Sequence, residues 1–248
     1  MGIEKFYDSL LRDNTDTTDN GFIDISSKKQ EFVKNGNYTT PFEDELAIKH
    51  PLRFISMYVN SIVISNSLKT NPNIKEILIS NKLNVEYNIQ NVSSIILSHL
   101  IPTSKRAQSI YLNMGHKKSE INYIRLTQSA LLHDIGKAFI PEKILNKTGK
   151  LNPEERRIIE LHNRLSYEIL KTTNLHPLVA KLAYEHHDYE HNLKKNEENQ
   201  ALTIADIYCA LREKRVYKKP MNDLMAKFIL YDMGTKGNID AKYISCIN

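Results

Sequence analysis

Cysteine is scarce in this chain of 248 residues. Its two cysteines, Cys209 and Cys246, make neither a disulfide framework nor a C-x-x-C pair. A fold held by disulfides is therefore excluded, and a reducing cytoplasm is the predicted location. The alternating polar and apolar pattern of strands is almost absent, and no segment repeats at a fixed period. Apolar residues instead recur at helical spacing, which predicts an all-α fold.

Long apolar runs are missing as well. Residues 1–14 carry acidic groups where a secretory signal would have its apolar core. The longest apolar candidate, FISMYVNSIVIS at residues 54–65, is interrupted by Asn60 and is too short to cross a bilayer. We therefore expect a soluble protein that has no membrane partner.

Charge of either sign is present in ordinary amounts. Charged residues make up 25% of the chain, hydrophobic residues make up 41%, and the formal net charge is +5. These values are typical of a globular protein. A mild positive charge suits a ligand that carries phosphate, but it is too weak to predict a DNA or RNA partner.

The chain divides near residue 90 into two predicted parts. Residues 1–90 form a smaller helical region, and its polar stretch at 13–40 predicts a loop or a partly disordered linker. In residues 91–248 one helical pattern follows another, which predicts a helical bundle. The N-terminal ninety residues carry no motif from which a role could be inferred.

Several residues predict where helices begin or break. Pro51 interrupts an apolar pattern as a break or as a helix start, and Ser119 is the expected N-cap of the helix that leads to His133. Asn152 and Pro153 suit the cap and the first position of the next long helix. We expect Pro102 to break the helix that carries His99.

Histidine and aspartate interrupt apolar helical runs at several places in the second part. The runs SALLHD and ALTIADIYCAL each bury a carboxylate that needs a partner inside the protein. The residues concerned are His99, His133, Asp134, His162, His186, His187 and Asp206. Each one alone also fits a satisfied core histidine or a capping aspartate.

Together these residues favour a metal site over separate structural roles. They come from five predicted helices, and helical bundles build metal sites from side chains that converge from facing helices. Mixed imidazole and carboxylate ligands suit Mn, Fe or Zn and disfavour Ca.

Two long segments carry a family resemblance. HDIGKAFIPEKILNKTGKLNPEERRIIELH and ADIYCALREKRVYKKPM resemble the HD-GYP branch of the HD superfamily of metal-dependent phosphohydrolases. The 29 residues from His133 to His162 agree with the family spacing without a gap. The paired histidines at 186–187 match in order, so the resemblance covers residues 99 to 221.

The resemblance implies a helical HD-domain bundle with two divalent metal ions. Fe or Mn is the expected metal, with Zn, Ni or Mg as the other candidates. The implied ligands are His133, Asp134, His162, His186, His187 and Asp206, with His99 as a further one, and Asp134 would bridge the two ions. Ile95 stands where some members have a glutamate that holds a third ion, which favours two ions.

The implied chemistry is hydrolysis of a phosphodiester by a water that two cations activate. Asp134 and Lys137 are the predicted catalytic residues. Lys137, Arg215 and Lys219 match the basic residues that hold substrate phosphates in the family.

The chain departs from the family after His187. It has no Gly-Tyr-Pro and no glycine before Asp206, which follows His187 by only 19 positions. Three hypotheses follow: a cyclic di-GMP phosphodiesterase, a phosphohydrolase of another nucleotide, and a non-catalytic receptor or interaction module. The expected partners are a cyclic dinucleotide or another nucleotide and a second copy of the chain in a homodimer.

Overall fold

A computed structural model describes residues 39–64, 67–189, 195–213 and 219–247. Within these ranges the regular structure consists of helices without any strand, so the prediction of an all-α fold is confirmed. Arg215 lies outside the described residues, as does nearly all of the polar stretch at 13–40.

Twelve α-helices can be traced in the described ranges. In chain order they are α1 (Pro41–Lys49), α2 (Pro51–Ile64), α3 (Ser67–Thr70), α4 (Pro72–Ser80), α5 (Ile89–Ser93), α6 (Ile101–Asn113), α7 (Ile121–Leu132), α8 (Glu142–Leu145), α9 (Pro153–Leu170), α10 (Pro177–Glu185), α11 (Glu197–Arg212) and α12 (Asp223–Thr235). A π-helical turn, Ile96–Leu100, precedes α6, and 3₁₀ segments span Ile135–Phe139 and Ala241–Cys246. None of the described helices has the length and apolar character needed to cross a membrane.

Helix α9 begins as the sequence predicts. Asn152 caps it by accepting a hydrogen bond from the Glu155 backbone nitrogen, while the Glu155 side chain accepts one from the Asn152 backbone. Pro153 occupies the first helical position, where the missing N–H costs nothing. This reciprocal cap fixes the start of the helix that carries His162.

The predicted cap at Ser119 is wrong. Helix α7 has Glu120 at its N-cap, and no side chain caps it. The reason is a turn just before the helix, in which the Glu120 side chain accepts a hydrogen bond from Lys117 N at 2.8 Å. That turn places Ser119 one residue too early to cap α7.

The predicted break at Pro102 is also wrong. Leu100 has helical backbone angles, and the π-helical turn continues directly into α6. Pro102 lies in the first turn of α6, a position that tolerates proline. The path from His99 into α6 is therefore continuous, and the interruption falls earlier, at residues 94–95.

Two apolar clusters form the core. The first joins α1, α2 and α4 to the end of α7, to α9 and to α10, and includes Phe54, Ile77 and Leu165. The second joins α6, α7, α11 and α12, and includes Leu126 and Leu202. Helix α7 contributes to both clusters, so its C-terminal end lies where the two halves of the core meet.

The 3₁₀ segment after Asp134 lies directly against α9. A Cβ atom at Gly136 would overlap the backbone oxygen of His162 and would lie 2.6 Å from the backbone nitrogen of Ser166. The Gly136 backbone nitrogen donates to the Ser166 hydroxyl at 2.9 Å. Only glycine permits this approach, which brings Asp134 and His162 together.

Candidate metal centre

Seven polar side chains from five parts of the fold meet in one cluster. They are His99 from the π-helical turn, His133 and Asp134 at the end of α7, His162 on α9, His186 and His187 at the end of α10, and Asp206 on α11. All but His187 are buried. The structure thus brings together every residue that the sequence predicts as a metal ligand.

Asp134 lies in the middle of the cluster, with each carboxylate oxygen facing different neighbours. Its Oδ1 atom is 3.1 Å from His162 Nε2. Its Oδ2 atom is 3.4 Å from His99 Nε2 and 3.5 Å from His133 Nε2. The carboxylate therefore spans two sets of histidines.

Asp206 occupies a similar position from the opposite side. Its Oδ1 atom is 2.9 Å from His99 Nε2 and 3.6 Å from His133 Nε2. Its Oδ2 atom is 3.8 Å from His187 Nε2. A solitary aspartate in the apolar face of α11 thus has its partners within this cluster.

Three of the histidines have a fixed tautomer. Each contacts, through Nδ1, the carbonyl oxygen three residues earlier: His133 to Ala130 at 2.9 Å, His162 to Ile159 at 2.6 Å and His186 to Ala183 at 2.8 Å. A carbonyl can only accept, so Nδ1 carries the proton. The Nε2 lone pair is then left to face the cluster, as metal-ligating histidines require.

The unpaired atoms of the cluster fit a metal ion. His133 Nε2, His162 Nε2, His186 Nε2 and Asp134 Oδ1 are buried and make no hydrogen bond. Three trios have ligand atoms within 4.8 Å of one another: His162, His186 and His187; His99, His133 and Asp206; His133, Asp134 and His186. Buried polar atoms without partners are costly, and divalent cations would satisfy all of them.

The electrostatics keep most of these groups in the form that binds a cation. Burial raises the pKa of the Asp134 carboxyl, but the charge of Lys137 and the surrounding histidines outweigh burial and hold that pKa well below its usual range. Burial lowers the pKa of His186 far below the usual value and that of His187 to about 4. Both carboxylate and imidazole are therefore ready as ligands near neutral pH.

The pKa of His99 is shifted in the opposite direction to those of His186 and His187. Burial lowers its pKa, yet hydrogen bonds to Asp134 and Asp206 raise it to about 9. Its Nδ1 atom is 3.9 Å from a Glu213 oxygen. Without a metal, a protonated His99 therefore neutralises part of the negative charge of the two aspartates.

Of the predicted basic residues, Lys137 lies at the cluster. Its ammonium group is 2.5 Å from Asp134 Oδ2, and its side chain is 19% exposed. Lys219 is exposed and does not line the cleft at the cluster. Arg215 falls outside the described residues.

The cluster opens into a cleft of about 880 Å³. His99, His162, His187, Asp206 and Lys137 form its inner end, and the side of α9 that carries Arg156, Glu160, Asn163 and Arg164 forms one wall. Sites of this size accept small molecules such as nucleotides.

Two supporting residues hold the segment that follows Asp134. The Asn91 side chain donates to Lys137 O at 3.1 Å and to Ile140 O at 2.8 Å, which holds the segment after Asp134 in place. The Ser166 hydroxyl holds Gly136 from α9. A polar side chain within the apolar run IQNVSSIIL was the available signal for Asn91.

Comparison with known proteins identifies the domain that carries this cluster. A family model described as an HD domain matches residues 90–243. The chain belongs to the HD-domain family. The match includes all seven residues of the cluster, so they lie within the HD domain itself.

Several curated relatives share part of the HD domain. A Thermotoga maritima protein named cyclic di-GMP phosphodiesterase is 35% identical over 113 residues, which are 41% of this chain and 31% of the relative. The 3′3′-cGAMP-specific phosphodiesterase 2 of Vibrio cholerae is 33% identical over 120 residues, 44% of this chain and 23% of the relative. The matched part thus spans less than a third of each of these relatives.

Proposed function

We propose that this HD domain is a metal-dependent phosphodiesterase whose substrate is a cyclic dinucleotide, cyclic di-GMP. The observation that carries the proposal is the set of buried ligand atoms without hydrogen bonds, gathered at the inner end of a cleft of nucleotide size. The names of the relatives support this class of substrate.

The seven side chains would hold two divalent cations. One group of ligands is His162, His186 and His187, and a second is His99, His133 and Asp206. Asp134 faces both groups and would bridge them. When bound, two such cations supply a water of lowered pKa and neutralise charge on the phosphate. The imidazole-rich set favours Fe or Mn, with Zn, Ni or Mg as the other candidates.

The chain's own basic residues would bind and orient the substrate. Lys137 pairs with Asp134 and is partly exposed to the cleft, so its ammonium group can also contact a phosphate oxygen. Arg156 and Arg164 line the cleft and have no charged partner among the described residues. Unpaired guanidinium groups are strong ligands for phosphate.

A second candidate substrate is 3′3′-cGAMP, which one of the relatives has in its name. The chain lacks the Gly-Tyr-Pro segment that the resemblance led us to expect after His187. Hydrolysis assays with both cyclic dinucleotides distinguish the two candidates.

A cytoplasmic location and a homodimer are further parts of the proposal. Cys209 and Cys246 are both free, which agrees with a reducing compartment. Sedimentation of the purified protein tests the homodimer.

The test of the function combines metal analysis with turnover. The protein is purified without oxygen, its bound metal is measured, and hydrolysis of cyclic di-GMP and 3′3′-cGAMP is followed with Mn or Fe added. We expect about two metal ions per chain and turnover of at least one substrate. Asp134→Ala should abolish turnover and lower the metal content, because it removes the carboxylate that faces both groups of ligands.

The matched control is His50→Ala, because His50 is an exposed histidine outside the cluster. It should retain metal and turnover. Bound metal without turnover of either cyclic dinucleotide would favour another nucleotide or a receptor role. Absence of bound metal would contradict the enzyme proposal altogether.

A further inference from the structure

His187 is held differently from three other histidines of the cluster. His133, His162 and His186 each contact a carbonyl of their own helix through Nδ1. His187 lies two positions past Glu185, the last residue of α10, and its Nδ1 atom contacts the Tyr189 hydroxyl at 2.8 Å instead. No carbonyl of the helix contacts Nδ1 of this ring, and the Tyr189 hydroxyl contacts it instead.

Tyr189 is itself fixed next to His187. Its backbone nitrogen donates to His187 O at 3.1 Å, and its ring meets the His187 ring edge to face at 5.8 Å between centroids. Burial raises the pKa of the phenol, so the hydroxyl stays protonated. A neutral hydroxyl oxygen accepts a hydrogen bond and leaves its own proton free for water.

Lys195 holds the turn that carries these residues. Its side chain is only 8% exposed, and its ammonium group donates to Glu185 O and Asp188 O, both at 2.8 Å. It also lies 3.1 Å from the Asp188 carboxylate. A buried lysine that satisfies two carbonyls at a helix end restrains the chain that follows.

We propose that Tyr189 is a positioning residue for metal binding at His187, with Lys195 as the clamp that fixes its turn. The Tyr189 oxygen accepts the Nδ1 proton of His187, and the Nε2 lone pair then points toward Asp206. The shortened connection after α10 thus supplies a contact that the helix cannot. This inference rests on the ligand role of His187 in the proposed function.

The first test uses the metal-free protein. Nitrogen-15 NMR of ring-labelled histidine distinguishes the two imidazole tautomers. At pH 7 we expect His187 to carry its proton on Nδ1, and we expect Tyr189→Phe to shift it toward the Nε2-protonated form. Tyr184→Phe removes a hydroxyl from an exposed tyrosine at the end of α10 and should leave the tautomer unchanged.

The second test measures Mn²⁺ affinity by titration calorimetry. Loss of a partner that orients a metal-bound histidine weakens binding by 10–100-fold, so Tyr189→Phe should bind the more weakly held Mn²⁺ about tenfold less tightly. Lys195→Met should act in the same direction, and Tyr184→Phe should match the unaltered protein. Thermal unfolding of each metal-free variant is the control that checks whether the fold is retained.

The outcomes separate this inference from the proposed function. A His187 tautomer that does not change in Tyr189→Phe overturns the positioning role, whether or not the protein hydrolyses a cyclic dinucleotide. A changed tautomer with weaker Mn²⁺ binding supports it, even if turnover of both substrates fails.

Discussion

At the scale of the residue, burial and neighbouring groups shift the pKa values of the cluster's aspartates in opposite directions. Asp134 and Asp206 are buried carboxylates whose pKa values stay low because histidines and Lys137 surround them. In the absence of a metal, the pKa of His99 is raised by its hydrogen bonds to the two aspartates. Its proton therefore stands in for part of the positive charge that a cation would provide.

This assignment predicts how the stability of the metal-free protein depends on pH. The His99 pKa is about 9 in the folded protein and 6.5 for an ordinary histidine. A raised folded pKa stabilises the protein fully below pH 6.5, and the stabilisation is lost as the pH rises through 9. Thermal unfolding in the presence of a chelator should therefore show a melting temperature that falls over this range.

His99→Gln is the comparison for this measurement. His116 also has a raised pKa, because Glu197 and Glu120 outweigh the opposing effect of burial, and its contribution remains in the variant. The fall in melting temperature should therefore be smaller in the variant than in the unaltered protein. Parallel curves would show that His99 does not carry the proton.

The seven residues of the cluster could be predicted from sequence because each interrupts an apolar run. His162 and Asp206 stand among leucine, isoleucine and alanine, so their need for a partner is visible in the sequence alone. Tyr189 and Lys195 could not be predicted in the same way. Their partners depend on how the chain turns after α10, and no local pattern specifies a lysine that folds back onto two carbonyls.

At the scale of the element, the 3₁₀ segment Ile135–Phe139 determines how α7 meets α9. Gly136 allows this segment to touch the backbone of α9 at His162 and Ser166. Asn91 holds the same segment from the other side. The segment therefore fixes the separation between Asp134 and His162.

Gly136→Ala should consequently disturb both stability and metal binding. The new methyl group would overlap the His162 backbone oxygen, which cannot move without shifting α9. Overpacking of this kind costs about 3 kcal/mol. Chemical denaturation should show that loss in the metal-free variant, and calorimetry should show weaker binding of Mn²⁺.

Gly149→Ala is the matched control for this substitution. A Cβ atom at Gly149 would meet nothing within 4 Å. Its effect on the free energy of unfolding should stay within about 0.5 kcal/mol. Equal stabilities of the two variants would contradict the close approach at Gly136.

Helix boundaries followed the sequence where a local cap specifies them. Asn152 and Glu155 form a capping box from their own spacing, so the start of α9 was predictable. Ser119 was displaced by a turn that Glu120 forms with Lys117, a competition that spacing alone does not decide. Pro102 was tolerated because it falls in the first turn of α6.

At the scale of the whole molecule, a mild net charge of +5 is distributed unevenly. The buried cluster holds two carboxylates, whereas one wall of its cleft carries Arg156 and Arg164 without charged partners among the described residues. A dianionic cyclic dinucleotide would meet cations both at the cluster and along this wall. The positions of the charged residues around the cleft therefore indicate the class of substrate better than the net charge of the chain does.

Replacing both arginines with alanine should weaken substrate binding and spare the chemical step. The seven side chains of the cluster are unaltered in this variant, so kcat should change little. Loss of contacts made equally in the ground and transition states raises KM alone, and we expect a rise of about tenfold, equivalent to ~1.4 kcal/mol. Steady-state kinetics at low and high salt would show that the rise in KM becomes smaller as salt screens the charges.

The control is Arg53→Ala, because Arg53 is an exposed arginine of α2 away from the cleft. An unchanged KM in the double variant would mean that α9 does not bind the substrate, and that the phosphates are held at the cluster alone.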